Sequence, residues 1–242
     1  MNRVSYLEVS SQFLRIGRDA AYLFVAVDAG NGRIIHFDIA PRPDVPGWTR
    51  FLSSLRGDGS EPLGIIHPGN PALEEALDNV FQGVPRQLCV RHFLSALYQY
   101  LRSFQMCPLG PNTTDMRFYR AVSQLLKSST HQRAFELYHS LKASPEFTTP
   151  ELENPLSWFQ ERFPLLTTHY RFPGMSPETW VADRAITEII FLLKAFPKSI
   201  DRSSALEIIR GHAAEIEKTL NAEVACSSRA NKVLSPSESI HF

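Results

Sequence analysis

The stretch that most constrains the fold is AAYLFVAVDAGNGRIIHFDIA, residues 20–40. Its first half is a nearly continuous apolar run, as expected of a strand buried on both faces. Asn31-Gly32 then offers the backbone freedom that a tight hairpin needs, and RIIHFDIA returns as the partner strand. Upstream, SYLEVSSQFLRI alternates and is rich in β-formers, so the chain opens as an antiparallel meander of three strands. The period then changes. Trp48, Phe51, Leu52 and Leu55 recur at helical spacing and predict a helix ended by Gly57. PLGIIH predicts a fourth strand. NPALEEALDNVFQG predicts a helix capped by Asn70 with Pro71 at its first position. VPRQLCVRH reads as a short fifth strand running into the helix FLSALYQYLRSF. The order β-β-β-α-β-α-β gives an α/β (α+β) chain, a mixed sheet of five strands with its first three antiparallel and helices packed on it.

From residue 105 to 178 the pattern is helical and broken by Pro, Thr and Ser, which predicts an all-helical insertion. The sheet-bearing core is expected over 1–104 and again over 179–223, where ADRAITEIIFLLKAF reads as a helix apolar on most faces. Residues 224–242 read as a polar, disordered tail. The 242 residues carry 25 basic and 25 acidic side chains, a formal net charge of zero. Phosphate-binding domains carry a positive excess, so DNA remains a partner only through a local basic face. A homodimer is the other partner considered. Three cysteines at unrelated spacings form no disulfide framework, and no apolar run is long enough to span a membrane. A cytoplasmic location is expected, nuclear in a eukaryote.

Several residues have the chemistry for a site. His67 stands at an exposed-looking strand-to-helix corner, where catalytic groups often sit. Asp28 beside the hairpin reads as a turn residue, and Asp38 as a residue of the solvated face. Glu188 lies among apolar neighbours, so its carboxylate needs a metal, a salt bridge or water. Cys89 and His92 in CVRH supply half a zinc set, but a closed site needs about four ligands and no second pair follows. A buried cysteine with His92 bonding the backbone is the simpler structural reading.

The segment from Trp48 to His92 resembles the core of Mutator-like (MULE-type) transposases. Trp48, Phe51, Leu52, Leu55, Ala72, Leu73, Ala76, Val80 and Phe81 match, followed by the Gln-x-Cys-x-x-His element at Gln87, Cys89 and His92. The resemblance covers roughly residues 5 to 210. It implies an RNase H-like fold and DNA transposition by strand cleavage and joining, with two Mg2+ ions held by three acids. Carried over by position, the first-strand acid falls on Ser10, the second on His67, and the helix acid on Glu188. Two acids are therefore replaced, one by a neutral hydroxyl and one by an imidazole, which prefers zinc or nickel to magnesium.

The resemblance thus implies a degenerate transposase-derived protein that does not bind Mg2+ productively and acts at most as a DNA- or protein-binding module. The chain opens directly on the first strand, without the DNA-binding region that precedes the family's core. Two alternatives stand beside it. One is a transposase-like nuclease active through unusual ligands or a partner subunit. The other is an unrelated α/β hydrolase-like or metal-binding protein centred on His67, with Ser10 nearby, although no Gly-x-Ser-x-Gly elbow is present.

Overall fold

The computed structural model describes residues 5–57, 61–103, 113–197 and 199–233, the side chains of residues 226–233 excepted. β1 (Leu7–Ile16) pairs antiparallel with β2 (Asp19–Asp28) over its whole length, from Leu7 opposite Asp28 to Ile16 opposite Asp19. β3 (Ile34–Ala40) returns antiparallel to β2, with a register shift between Ala26 and Val27. The connecting turn is built around Asp28. Its carboxylate accepts from Ser5 Oγ, Gly30 N–H and Asn31 Nδ2, and Gly32 takes the positive φ of 69° that only glycine adopts freely. β4 (Ile65–His67) and β5 (Arg86–Leu88) are three residues each and parallel. The sheet order is β3-β2-β1-β4-β5. This is the mixed five-stranded sheet expected from the sequence, flanked by helices and compatible with an RNase H-like α+β fold.

The chain divides into two compact units. The first comprises Met1–Leu63, Ala72–Gly83 and Trp180–Phe242. Strand alternation sends Val25 and Val27 to one face of β2 and Phe24 to the other. The valine face is covered by α7 (Trp180–Lys194) and α8 (Arg202–Val233), through Ala185, Ile186, Ile189, Ile209 and Leu220. The Phe24 face receives α1 (Val45–Gly57), whose Trp48 ring meets Phe24 edge-on at 4.4 Å between centroids. α2 (Pro71–Val80) buries Leu73, Ala76, Leu77 and Val80.

The second unit comprises Gly64–Pro71 and Val84–Thr179. It holds β4, β5 and α3 (Val90–Ser103) together with α4 (Thr114–Leu126), α5 (His131–Ala143), α6 (Glu153–Leu166) and a 3-10 turn, Thr168–Arg171. Its core centres on Leu97, Phe118, Val122, Leu125, Phe159 and Leu166. β4, β5 and α3, read in the sequence with the sheet-bearing core, belong with the helical segment in this division. Residues 104–112, where the insertion was expected to begin, lie outside the described residues.

Three local readings are corrected. The fifth strand stops at Leu88, and Val90 already begins α3, because Phe93 N–H bonds back to the Cys89 carbonyl at 3.0 Å. Helix α7 is less enclosed than its composition suggests: Phe191 is 74% exposed, since only the Val181, Ala182, Ala185, Ile186 and Ile189 stripe is buried. Helix α8 continues to Val233, past the expected start of a disordered tail, and residues 234–242 lie outside the described residues. Among the described residues no helix is long and apolar enough to cross a membrane.

Candidate functional site

On β1 the residues facing α7 are set by pairing with β2: Glu8 lies opposite Val27 and Ser10 opposite Val25. Both polar side chains therefore point into an apolar layer, and both are buried. Buried polar groups need partners, and the first turn of α7 supplies them. Glu8 Oε2 accepts from Ala182 N–H at 2.9 Å, where helix geometry leaves amides unbonded and favours negative charge. Ser10 Oγ donates to Asp183 Oδ1 at 2.8 Å. Glu8, Ser10 and Asp183 thus gather where β1 meets the start of α7. Glu8 and Asp183 were not singled out in the sequence. Two signals were available: Glu8 is two residues before Ser10, hence on the same strand face, and Asp183 occupies a helix first turn.

Glu188 stands five residues beyond Asp183, about 7.5 Å further along the helix by its rise. Its carboxylate pairs with Arg184, one turn back, at 2.7 Å, and its side chain is 27% exposed. Arg184 also reaches Glu223 of α8 at 3.2 Å. The salt bridge, one of the outcomes expected for Glu188, is formed. The α7 acid at Ser10 is Asp183.

In the second unit, His67 ends β4, and its carbonyl accepts from Cys89 N–H at 2.8 Å. The corner that looked exposed in sequence is closed: the His67 side chain is fully buried, and neither ring nitrogen has a hydrogen-bond partner among the described residues. Burial, and then the positive charges of Arg86 and Arg162, push its pKa down to about 3. The imidazole is neutral at any physiological pH, in electropositive surroundings.

The three motif residues downstream are structural in geometry. Gln87 is fully buried; its Nε2 donates to the carbonyls of Leu88 (2.7 Å) and Leu166 (3.0 Å). Its Oε1 accepts from His169 N–H at 2.8 Å, so one amide fastens β5 to the end of α6 and the 3-10 turn. His169 Nδ1 is 3.2 Å from the same oxygen, and burial holds the His169 pKa near 4. Cys89 Sγ receives Thr179 N–H at 3.3 Å and lies 3.1 Å from His92 Nδ1. Burial pushes the thiol up, but hydrogen bonds from His92 and Thr179 outweigh it and leave its pKa below the ordinary range. The thiol is fully buried, and its contacts join the start of α3 to the segment before α7. Cys89→Ala leaves the buried Thr179 amide without its acceptor and should cost about 1–3 kcal/mol in denaturant unfolding.

Among the described residues, no group of three or more His, Cys, Asp or Glu side chains is placed to hold a metal ion. Comparison with known proteins adds little to this geometry. No family model matches the chain, and no curated protein matches it. Among solved structures, a chain from the cryo-EM structure of the simian T-cell lymphotropic virus intasome in complex with PP2A regulatory subunit B56 gamma is similar at 15% identity. The match covers 59% of this chain and 57% of that one, with a TM-score of 0.28. The chain therefore spans little more than half of the structure it matches, and a likeness of that strength carries no argument for function.

Proposed function

We infer that this chain is a transposase-type core that no longer performs metal-dependent strand transfer and works as a binding module. The observation that carries the reading is the state of His67. At the strand end where the resemblance calls for a metal-binding aspartate stands a buried, neutral imidazole beside two guanidinium groups. A divalent cation at that point would meet the positive charges of Arg86 and Arg162, and an imidazole where the resemblance calls for a carboxylate, whereas hard cations are held by converging anionic oxygens.

The first-strand position supports the same conclusion. Ser10 donates its proton to Asp183, so it engages an acid oxygen instead of adding one. Glu8, the acid of that strand, is turned to a helix amide. On this reading Asp183, rather than Glu188, stands at the helix-acid position, and the donor set does not fit two magnesium ions. Location follows the family, in the cytoplasm or a eukaryotic nucleus.

The decisive assay is nicking of labelled single- and double-stranded DNA in Mg2+ or Mn2+. We expect no cleavage above background, with wild type, Glu188→Gln and Asp183→Asn indistinguishable. Cleavage that disappears in either variant would sink the inactive reading.

A further inference from the structure

The turn from β2 to β3 sets Asn31, exposed to water, directly before the buried Gly32. In an Asn-Gly pair no side chain hinders the glycine nitrogen as it approaches the asparagine carboxamide. We propose that Asn31 is a deamidation site, guarded by Asp28 while the turn is closed, and that its conversion to an acid loosens the hairpin from α8. The inference stands apart from the binding-module reading and from the loss of catalysis.

The chemistry needs only water. Once a base has taken its proton, the Gly32 nitrogen attacks Asn31 Cγ. A C–N bond forms and the Cγ–Nδ2 bond breaks, closing a cyclic imide, and the departing nitrogen takes up a proton and leaves as ammonia. Water opens the imide at either carbonyl. The product at position 31 is aspartate or, with the main chain rerouted through Cβ, isoaspartate.

The closed turn restrains each group in that step. Gly32 N–H, the attacking group, donates to the Asp28 carbonyl at 2.8 Å. Asn31 Nδ2, the leaving group, donates to Asp28 Oδ2 at 3.2 Å, and Asn31 Oδ1 accepts from Arg33 N–H at 2.9 Å. The Asp28 carboxylate is itself buried and fixed by Ser5 Oγ and Gly30 N–H. Attack therefore waits for the turn to open.

The product does not refit the turn. Deamidation exchanges the donor facing Asp28 for a second carboxylate, a like-charge contact beside a buried acid. Helix α8 rests on the same turn. A Cβ at Gly32 would lie 2.9 Å from Leu220 Cβ and 3.1 Å from Asn221 N, so the backbone there has no slack for the longer isoaspartyl link. Two residues on, Ile34 N–H donates to Glu217 Oε1 at 2.9 Å. Loosening the turn thus releases the part of the α8 cover over the β2 valines that Ile216 and Leu220 supply.

The test follows the full chain by mass spectrometry in mildly alkaline buffer, reading the tryptic peptide Asp19–Arg33. Conversion at Asn31 should run about a hundredfold or more faster in urea than in the native protein, since three hydrogen bonds hold the native turn. Asp28→Asn keeps the shape but removes the charged acceptor, and should raise the native rate roughly tenfold. Ser5→Ala removes one donor to the same carboxylate and should raise it less. Asn31→Asp should lower the Tm, although aspartate suits turns. That loss should shrink in the Asp28→Asn background, where like charges no longer meet.

The proposal fails if native and unfolded chains convert at the same rate, or if Asn31 stays intact in urea. It fails equally if Asp28→Asn and Ser5→Ala, folded by their melts, both leave the native rate unchanged, or if Asn31→Asp melts like wild type.

Discussion

His67→Leu should leave the protein at least as stable as wild type at pH 7 and remove much of its sensitivity to acid. The side chain is fully buried with both ring nitrogens unbonded among the described residues. Removing an unsatisfied buried polar group in favour of an apolar one of similar size can gain up to about 1–3 kcal/mol. The pH effect is larger. The folded-state pKa is about 3 against an ordinary 6.5, so below pH 6.5 the unfolded chain takes up a proton that the folded chain refuses. Stability then falls as pH falls, by about 1.4 kcal/mol per pH unit at full slope, until pH approaches 3. Across that window the loss comes to about 4–5 kcal/mol, and leucine cannot contribute to it. His169, held near pKa 4 by burial, remains in both proteins and leaves a shared residual slope. Denaturant titrations at a series of pH values would show the two curves diverging on the acid side. Parallel curves would mean that His67 is not held neutral in the fold.

Trp48→Ala should be the most damaging single truncation in the first unit. The side chain is fully buried, edge-on to Phe24 at 4.4 Å and to Phe51 at 5.8 Å. Emptying such a site costs about 3–5 kcal/mol, since the lost transfer energy is joined by a cavity that its neighbours only partly fill. For a chain of this size that corresponds to a fall in Tm of roughly ten degrees. Trp48→Phe should cost less than half as much. The indole N–H has no hydrogen-bond partner among the described residues, so phenylalanine loses volume but also removes an unsatisfied donor. Thermal melts of the two variants, read side by side, separate volume from polarity. Equal losses would show that the N–H is satisfied.

The strands and most helices were legible because their apolar periods are clean. The run of β2, the Asn31-Gly32 turn and the Trp48–Leu55 stripe each point to one local structure, and each element formed where its pattern lay. The reading failed where pattern and partner separate. Cys89 looked like strand because apolar residues continue through it, yet its carbonyl already accepts the first bond of α3. A buried cysteine is not among the residues that announce a helix start.

Glu188 was read from the hydrophobicity of its neighbours, whereas helical phase decides its exposure. The buried stripe passes through Ile186 and Ile189 and leaves Glu188 beside Arg184. Glu8 and Asp183 were passed over for a different reason: strand phase and a helix first turn mark each residue separately, but their shared role depends on β1 meeting α7, segments more than 170 residues apart in the chain. No local pattern encodes that meeting. The corner at His67 looked open because Pro68, Gly69 and Asn70 follow it, and turn residues say nothing of what later elements fold over them.

The cover of the β2 valine face by α7 and α8 bears on the order in which the protein can be made. The meander β1–β3 leaves the ribosome early, but the helices that shield Val25 and Val27 lie beyond residue 180. During synthesis the nascent sheet must wait with one apolar face bare, an aggregation-prone state. Completion of the first unit therefore waits on α7 and α8, which the chain supplies only after residue 180.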